Sequence, residues 1–180
     1  MRTRAQVDRL TTTEGAVLAL LAIEGERSGY DLLKLVRQAI GHVWSPARSG
    51  LYAVLPRLVR AGLATSRTVE QSLRPDKQLY RLSERGREAL GAWLEHVEPG
   101  ARETFFLKLF VGKLTTHDVL LAHVEQFVSD TEARLATLRA IEPTNTNSGH
   151  DWYHRHLLVY GIERAQHDLD WAARVEQALR

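Results

Sequence analysis

The residue types able to do chemistry in this 180-residue chain fall into three groups. His150 and His154 stand four apart, a spacing at which two imidazoles on one helix face can share a metal. No third ligand lies near them, so they read as solvent-exposed histidines at the start of a helix. Asp168 and Asp170 beside His167 offer an acid and a base, but steps of one to three residues spread them around a helix, and they read as a solvated face. The third group is basic and polar: Arg48, Ser49, Tyr52, Arg57 and Arg60, followed by Arg67, Arg74, Lys77 and Gln78. These side chains neutralise phosphates and present donors to base edges, so their chemistry is recognition of a polyanion. The absence of cysteine removes disulfides, thiol nucleophiles and thiolate metal sites together. Glycine-rich phosphate loops, nucleophile elbows and HExxH motifs are also missing from the sequence. The expectation is a protein that is not an enzyme and that needs no metal or cofactor.

Charge placement supports the third group. The formal net charge is only +2, but residues 41–87 carry nine Lys and Arg against three Asp and Glu, and residues 100–180 carry nine against eleven. A basic segment inside a balanced chain is the footprint of a surface that meets nucleic acid. The start MRTRAQVDRL lacks the apolar core of a signal peptide, and no apolar run approaches the roughly 18 residues that span a bilayer, so a cytoplasmic location is expected.

These side chains need elements to hold them. The stretch from Thr13 to Gly25 is apolar nearly all round and predicts a buried first helix, with Thr12 or Thr13 as N-cap and Gly25 as stop. Ser28-Gly29 opens a second, shorter helix, in which Tyr30, Leu33, Val36, Arg37 and Ile40 recur at helical spacing up to Gly41. A third helix places Leu51, Val54, Leu55 and Leu58 on one stripe and ends at Gly62. Two short β-prone runs, ATSRTVE and KQLYRLS, flank the turn residues Pro75-Asp76 and predict a hairpin. Ser83 caps a fourth helix with Leu90, Trp93, Leu94 and Val97 inward, and Pro99-Gly100 breaks the chain. That break predicts two domains, 1–99 and 100–180. The second is read as helical: a short apolar helix over ARETFFLKLFVGKL, a longer one capped by Thr115 with Val124, Val128, Thr131, Leu135 and Leu138 inward, and a last one from Trp152 to about Leu179. Leu157, Gly161, Ala165, Leu169, Ala172, Val175 and Leu179 step near 3.5 along the last helix, a pattern for an antiparallel pair or a dimer seam.

The fold class is therefore mainly α with a small β-hairpin: a winged helix-turn-helix followed by a C-terminal helical dimerisation domain. With its apolar stripe inward, the third helix turns Ser49, Ala53, Pro56, Arg57 and Arg60 outward, with Tyr52 on the flank. A B-DNA major groove admits one such helix. Arg48, Ser49 and Tyr52 then lie near base edges and phosphates, and Arg57 and Arg60 near the backbone. Arg67, Arg74, Lys77 and Gln78 gather about the wing, over the adjacent minor groove. The opposing reading is a winged-helix adaptor for protein contacts without DNA binding.

The segments SGYDLLKLV, SPARSGLYAVLPRLVRAGLA and RPDKQLYRLSERGREAL, in that order, resemble the second helix, the recognition helix, and the wing running into the fourth helix of the PadR family of bacterial transcriptional regulators. ARETFFLKLFVG and DLDWAARVEQAL are similar to the C-terminal helical domain of its longer members. The resemblance implies a homodimer, usually a repressor, that binds an inverted repeat and is often released by a small effector. It aligns Tyr52 with the family's recognition-helix tyrosine, and Arg74 and Lys77 with its basic wing. Ala53 stands where the family commonly has proline, while Pro56 lies one turn later and predicts a kink. Gly50 replaces the usual Ser or Thr cap, leaving Ser49 as the expected N-cap. Most aromatics are expected in core and dimer packing, with Trp93, Phe106, Trp152 and Trp171 as candidate effector contacts.

Overall fold

The computed structural model describes residues 10–70, 76–141 and 149–180, the side chains of 149–151 excepted. Arg74 and the side chain of His150 lie outside the described residues. The chain divides into two compact units: residues up to His96 together with Phe106–Thr116, and Val97–Phe105 together with His117–Arg180.

The first unit forms around helix α1 (Thr12–Glu24), whose residues from Gly15 to Leu21 are all buried. The N-cap is Thr11, one residue before the expected threonines. Its hydroxyl accepts from the Glu14 N–H while the Glu14 carboxylate accepts from the Thr11 N–H, so two orphan donors are satisfied reciprocally. Gly25, at φ 73°, ends the helix. Ser28 and Asp31 form a second capping box at the start of α2 (Gly29–Ala39). The buried residues of α2 are Leu32, Leu33 and Val36, followed by Ile40, whereas Tyr30, expected in the stripe, is exposed. Leu33, Val36 and Ile40 keep the expected stripe, while Gly29 and Leu32 join it in place of Tyr30 and Arg37, both exposed.

Helix α3 (Arg48–Arg60) buries Leu51, Val54, Leu55 and Leu58 as the periodicity required. It ends in a Schellman motif: the Gly62 N–H donates to the Val59 carbonyl and the Leu63 N–H to that of Leu58, with Gly62 at φ 71°. The wing is a three-stranded antiparallel sheet of order β1-β3-β2, with β1 (Arg27–Ser28), β2 (Ala64–Val69) and β3 (Lys77–Leu82). The expected two-stranded hairpin thus gains a strand, two residues long and so too short to carry an alternating pattern. Ser83 caps α4 (Glu84–Glu95) through the Gly86 N–H and donates its hydroxyl to the Gly62 carbonyl, which ties the end of α3 to the start of α4. A side chain at Gly86 would stand 1.9 Å from the Leu63 carbonyl, so only glycine fits this junction. Val97 lies beyond the end of α4.

Helix α5 (Arg102–Phe110) contributes its first turn to the second unit and the remainder, with Leu107 in the core cluster, to the first, and Val111 just beyond it joins the same cluster. Lys108 is buried, donates to the His96 carbonyl and lies 5.0 Å from the Trp93 ring centroid. A 3-10 turn (Gly112–Leu114) follows, and Thr115 ends that turn instead of capping the next helix, which begins at His117.

In the second unit, α6 (His117–Ala140) and α7 (Gly149–Leu179) run antiparallel: His117 meets the Leu179 carbonyl, Arg134 meets Asp168, and Leu138 lies beside Gly161. Phe105 stacks on Phe127 at 4.5 Å, and the edge of Trp171 meets both rings at 6.1 and 6.0 Å. Asp168, read from sequence as part of a solvated face, is instead buried. Its two oxygens accept from the Arg102 fork at 2.7 and 2.9 Å and from Arg134 at 3.1 Å. The arginines come from distant segments, which spacing along one helix does not reveal. None of the described helices is long and apolar enough to cross a membrane.

Candidate nucleic-acid interface

The outward face of α3 is built by what its inward face buries. With Leu51, Val54, Leu55 and Leu58 at the core, the residues Arg48, Ser49, Tyr52, Ala53, Pro56, Arg57 and Arg60 are all exposed. Trp44, buried in the loop between α2 and α3, anchors the entry to this helix. The helix starts at Arg48 with Ala47 in the cap position, so Ser49 lies inside the first turn and is not the cap. No side chain caps this end. The first N–H groups of α3 and the positive end of its dipole therefore open toward whatever approaches.

The Arg48 guanidinium lies 5.5 Å over the Tyr52 ring. The ring also meets α2 at Gly29, where an added Cβ would stand 3.0 Å from it. Tyr52 is thus a flank residue, 38% exposed, in contact with an arginine and a glycine. Tyr80 of β3 lies near enough to feel it, and burial chiefly raises the Tyr80 phenol above its ordinary range. Pro56 sits inside α3, which continues to Arg60. Arg57, one step beyond, pairs with Glu14 of α1 at 2.8 Å. Burial works against the charge on Glu14, but the Thr11 hydrogen bonds and Arg57 outweigh it and lower its pKa.

On the wing, register decides which side chains share a face. Thr65 pairs with Arg81, Arg67 with Leu79, Val69 with Lys77, and Ser28 with Leu79. Side chains alternate along a strand, so Arg67, Lys77 and Arg81 lie on one face, while Gln78 lies on the other and is hydrogen-bonded to Thr68. Three cations on one face is the arrangement that sequence reading approached for Arg67 and Lys77 and missed for Arg81. The alternation of KQLYRL was the available signal, and it required the register to use.

The carboxylates beside these cations come from segments distant in sequence. Glu26 accepts from Arg67 in a fork, with Oε1 2.9 Å from Nε and Oε2 2.5 Å from Nη2. Asp31, already in the α2 capping box, lies 2.9 Å from the Lys77 ammonium. Both carboxyls are lowered from their ordinary values, Glu26 chiefly by the Arg67 hydrogen bond and Asp31 chiefly by that of Lys77.

The four aromatics considered for an effector divide between the units, Trp93 and Phe106 in the first and Trp152 and Trp171 in the second. Trp93 is buried, and a Cβ on Gly15 would fall 2.3 Å from its indole. Trp171 packs on Phe105 and Phe127, and Trp152 is exposed near the start of α7. His154 is exposed, and among the described residues no group of three or more His, Asp or Glu could hold a metal ion.

The chain is similar to known proteins over both of its parts. Residues 17–92 match the Transcriptional regulator PadR-like family and residues 101–180 match the family described as Virulence activator alpha C-term. The Negative transcriptional regulator PadR of Bacillus subtilis is 28% identical over 166 residues, spanning 87% of this chain and 91% of that protein. The Probable transcriptional regulator Rv1176c of Mycobacterium tuberculosis is 27% identical over 184 residues, 92% of this chain and 96% of its own. The crystal structure of Bacillus subtilis PadR in complex with operator DNA is similar at a TM-score of 0.48 and 25% identity, covering 94% of this chain and all of the other.

Proposed function

We propose, from the PadR-like domain matched over residues 17–92, that this chain acts as a transcriptional regulator of that kind, which binds an inverted-repeat operator as a homodimer and represses transcription until a small effector releases it. The observation that carries the DNA-binding part is the exposed polar face of α3 with its uncapped N-terminus. In this reading Arg48, Ser49 and Tyr52 enter the major groove and meet base edges and phosphates, and Arg60 and Arg57 follow the backbone. The wing lies over the adjacent minor groove with Arg67, Lys77 and Gln78, and Arg74 is assigned to DNA contact from its sequence alone. Repression is the direction suggested by the Bacillus subtilis relative, which is named as a negative regulator and is matched over nearly its full length.

The dimer is assigned to the C-terminal region, 100–180, and the DNA-binding domain to 1–99. Along α7, Trp152, Tyr153, Leu157, Val159 and Tyr160 are exposed in the turns before Gly161, where α7 comes beside Leu138 of α6. An apolar surface of this kind on one helix is best covered by a second copy, which would set two α3 helices about 34 Å apart, one turn of duplex. Effector contact is assigned to the aromatics Trp93, Phe106, Trp152 and Trp171, acting by population shift between dimer geometries. A cytoplasmic site of action accompanies this role.

The test is a mobility shift on duplex selected from a random pool, at 50 and 200 mM salt. A regulator loses affinity with a log-log slope of about −0.9 per phosphate contact, and Arg48→Ala removes about one contact from that slope. Retention of duplex independent of salt, or absent altogether, would leave the winged-helix adaptor as the reading.

A further inference from the structure

The cations of the interface are not equally available. Among the described residues, Arg48 and Arg60 of α3 carry no carboxylate partner, whereas Arg67 and Lys77 of the wing are both held by acids from outside the β2–β3 ladder. Glu26 lies 41 residues from Arg67 in sequence and reaches it because β1 joins the sheet. Glu26 stands one residue before the Arg27–Tyr80 pair, near enough to Arg81 for that cation's charge to help lower its carboxyl. Its two oxygens fill the Nε and Nη2 positions of the guanidinium, the same fork that engages a phosphate. Asp31 occupies the Lys77 ammonium.

We infer that Glu26 and Asp31 are internal competitors of DNA phosphate: they hold Arg67 and Lys77 through the contacts a phosphate would make, and so hold down the affinity of the wing for duplex of any sequence. The inference rests on the duplex-binding reading above. Its physical basis is exchange. A guanidinium paired with a carboxylate has already surrendered its strongest donors, and a duplex must displace that partner before it gains the contact. The Arg67 and Lys77 side chains are 60% and 38% exposed, so the pairs stand at the solvent edge, where ion pairs are individually weak and a dense phosphate array can replace them. Replacing the carboxylate with an amide leaves the cation uncommitted. The low pKa of both carboxyls keeps the competitors charged throughout the physiological range.

The experiment measures anisotropy of a labelled random-sequence duplex and of a selected operator with the full chain, between 50 and 200 mM salt, for the unaltered protein, Glu26→Gln, Asp31→Asn and Glu26→Gln/Arg67→Ala. For each carboxylate removed, random-duplex affinity is expected to rise about threefold and its log-log salt slope to steepen by about 0.9. Adding Arg67→Ala to Glu26→Gln is expected to abolish the gain, an effect that a general loosening of the wing would not produce. Glu26 takes no part in a helix cap, so Glu26→Gln carries the test even where Asp31→Asn disturbs α2. Unchanged affinity and slope in Glu26→Gln overturn the inference. Weaker binding to both duplexes also overturns it, assigning Glu26 the role of aiming Arg67. If the unaltered protein binds neither duplex, the functional reading fails and this inference with it, whatever the variants do.

Discussion

Asp168 is the side chain whose environment most departs from what its neighbours in sequence imply. Burial opposes its charge, and Arg102, with Arg134 and Arg164, outweighs burial and lowers its carboxyl below the ordinary range. A carboxyl lowered on folding contributes its full stability above the unfolded value, near 3.8, and loses it as the pH falls from there through the folded value. Asp168→Asn should therefore cost about 2 kcal/mol at neutral pH, by leaving two arginines against a neutral amide. The deficit should shrink as acid is added below pH 3.8. Thermal unfolding of both proteins from pH 7 to pH 3 checks this, and a deficit that stays constant through the acid range would assign the loss to packing. On the wing the same chemistry is tuned differently, because Glu26 and Asp31 sit at the solvent edge and their pairs exchange instead of locking.

The elements were legible wherever one residue type determined a boundary. Gly25, Gly62 and Ser83 marked helix ends in the sequence and do so in the structure, because each supplies a backbone conformation or an acceptor that few residues can. The inward stripe of α3 was equally clear, since four large apolar residues at helical spacing have one place to go. Caps were less legible in threonine- and serine-rich stretches: Thr11, Thr12 and Thr13 are chemically equivalent, and only the reciprocal bond to Glu14 selects the first. Strand β1 was illegible for a different reason, as its two residues are recruited by the register of β3 rather than by their own propensity. The candidate interface followed the same rule. Sequence located the cations, while their partners Glu14, Glu26 and Asp31 depended on tertiary approach. Pro56 belongs at this scale too. It sits mid-helix, where it cannot donate to the Tyr52 carbonyl, so Pro56→Ala should stabilise the protein by about 1 to 3 kcal/mol, at about 3 °C in Tm per kcal/mol. Calorimetry checks it, and an unchanged Tm would mean that the surroundings already accommodate the proline.

At the scale of the whole molecule, the exposed aromatics and Leu157 of α7 bear on assembly. If they form the seam between two copies, Leu157→Glu places a charge in it, and sedimentation velocity should show the variant at half the mass of the parent, with operator affinity falling in step. A variant that sediments unchanged would place the seam elsewhere. The path of α5 has a separate bearing on how the chain can be divided. Leu107 and Val111 lie in the same apolar cluster as Trp93, Leu90 and Leu18. A protein cut after residue 99 would lose this part of its own interior and uncover the indole beneath Lys108, at a cost of several kcal/mol for two large side chains. A fragment ending at Thr116 keeps them. The two fragments, melted side by side, should differ by ten degrees or so, the longer being the more resistant. Side chains that complete the interior of the first unit thus come from beyond the proline-glycine break that the sequence offers as its natural cutting point.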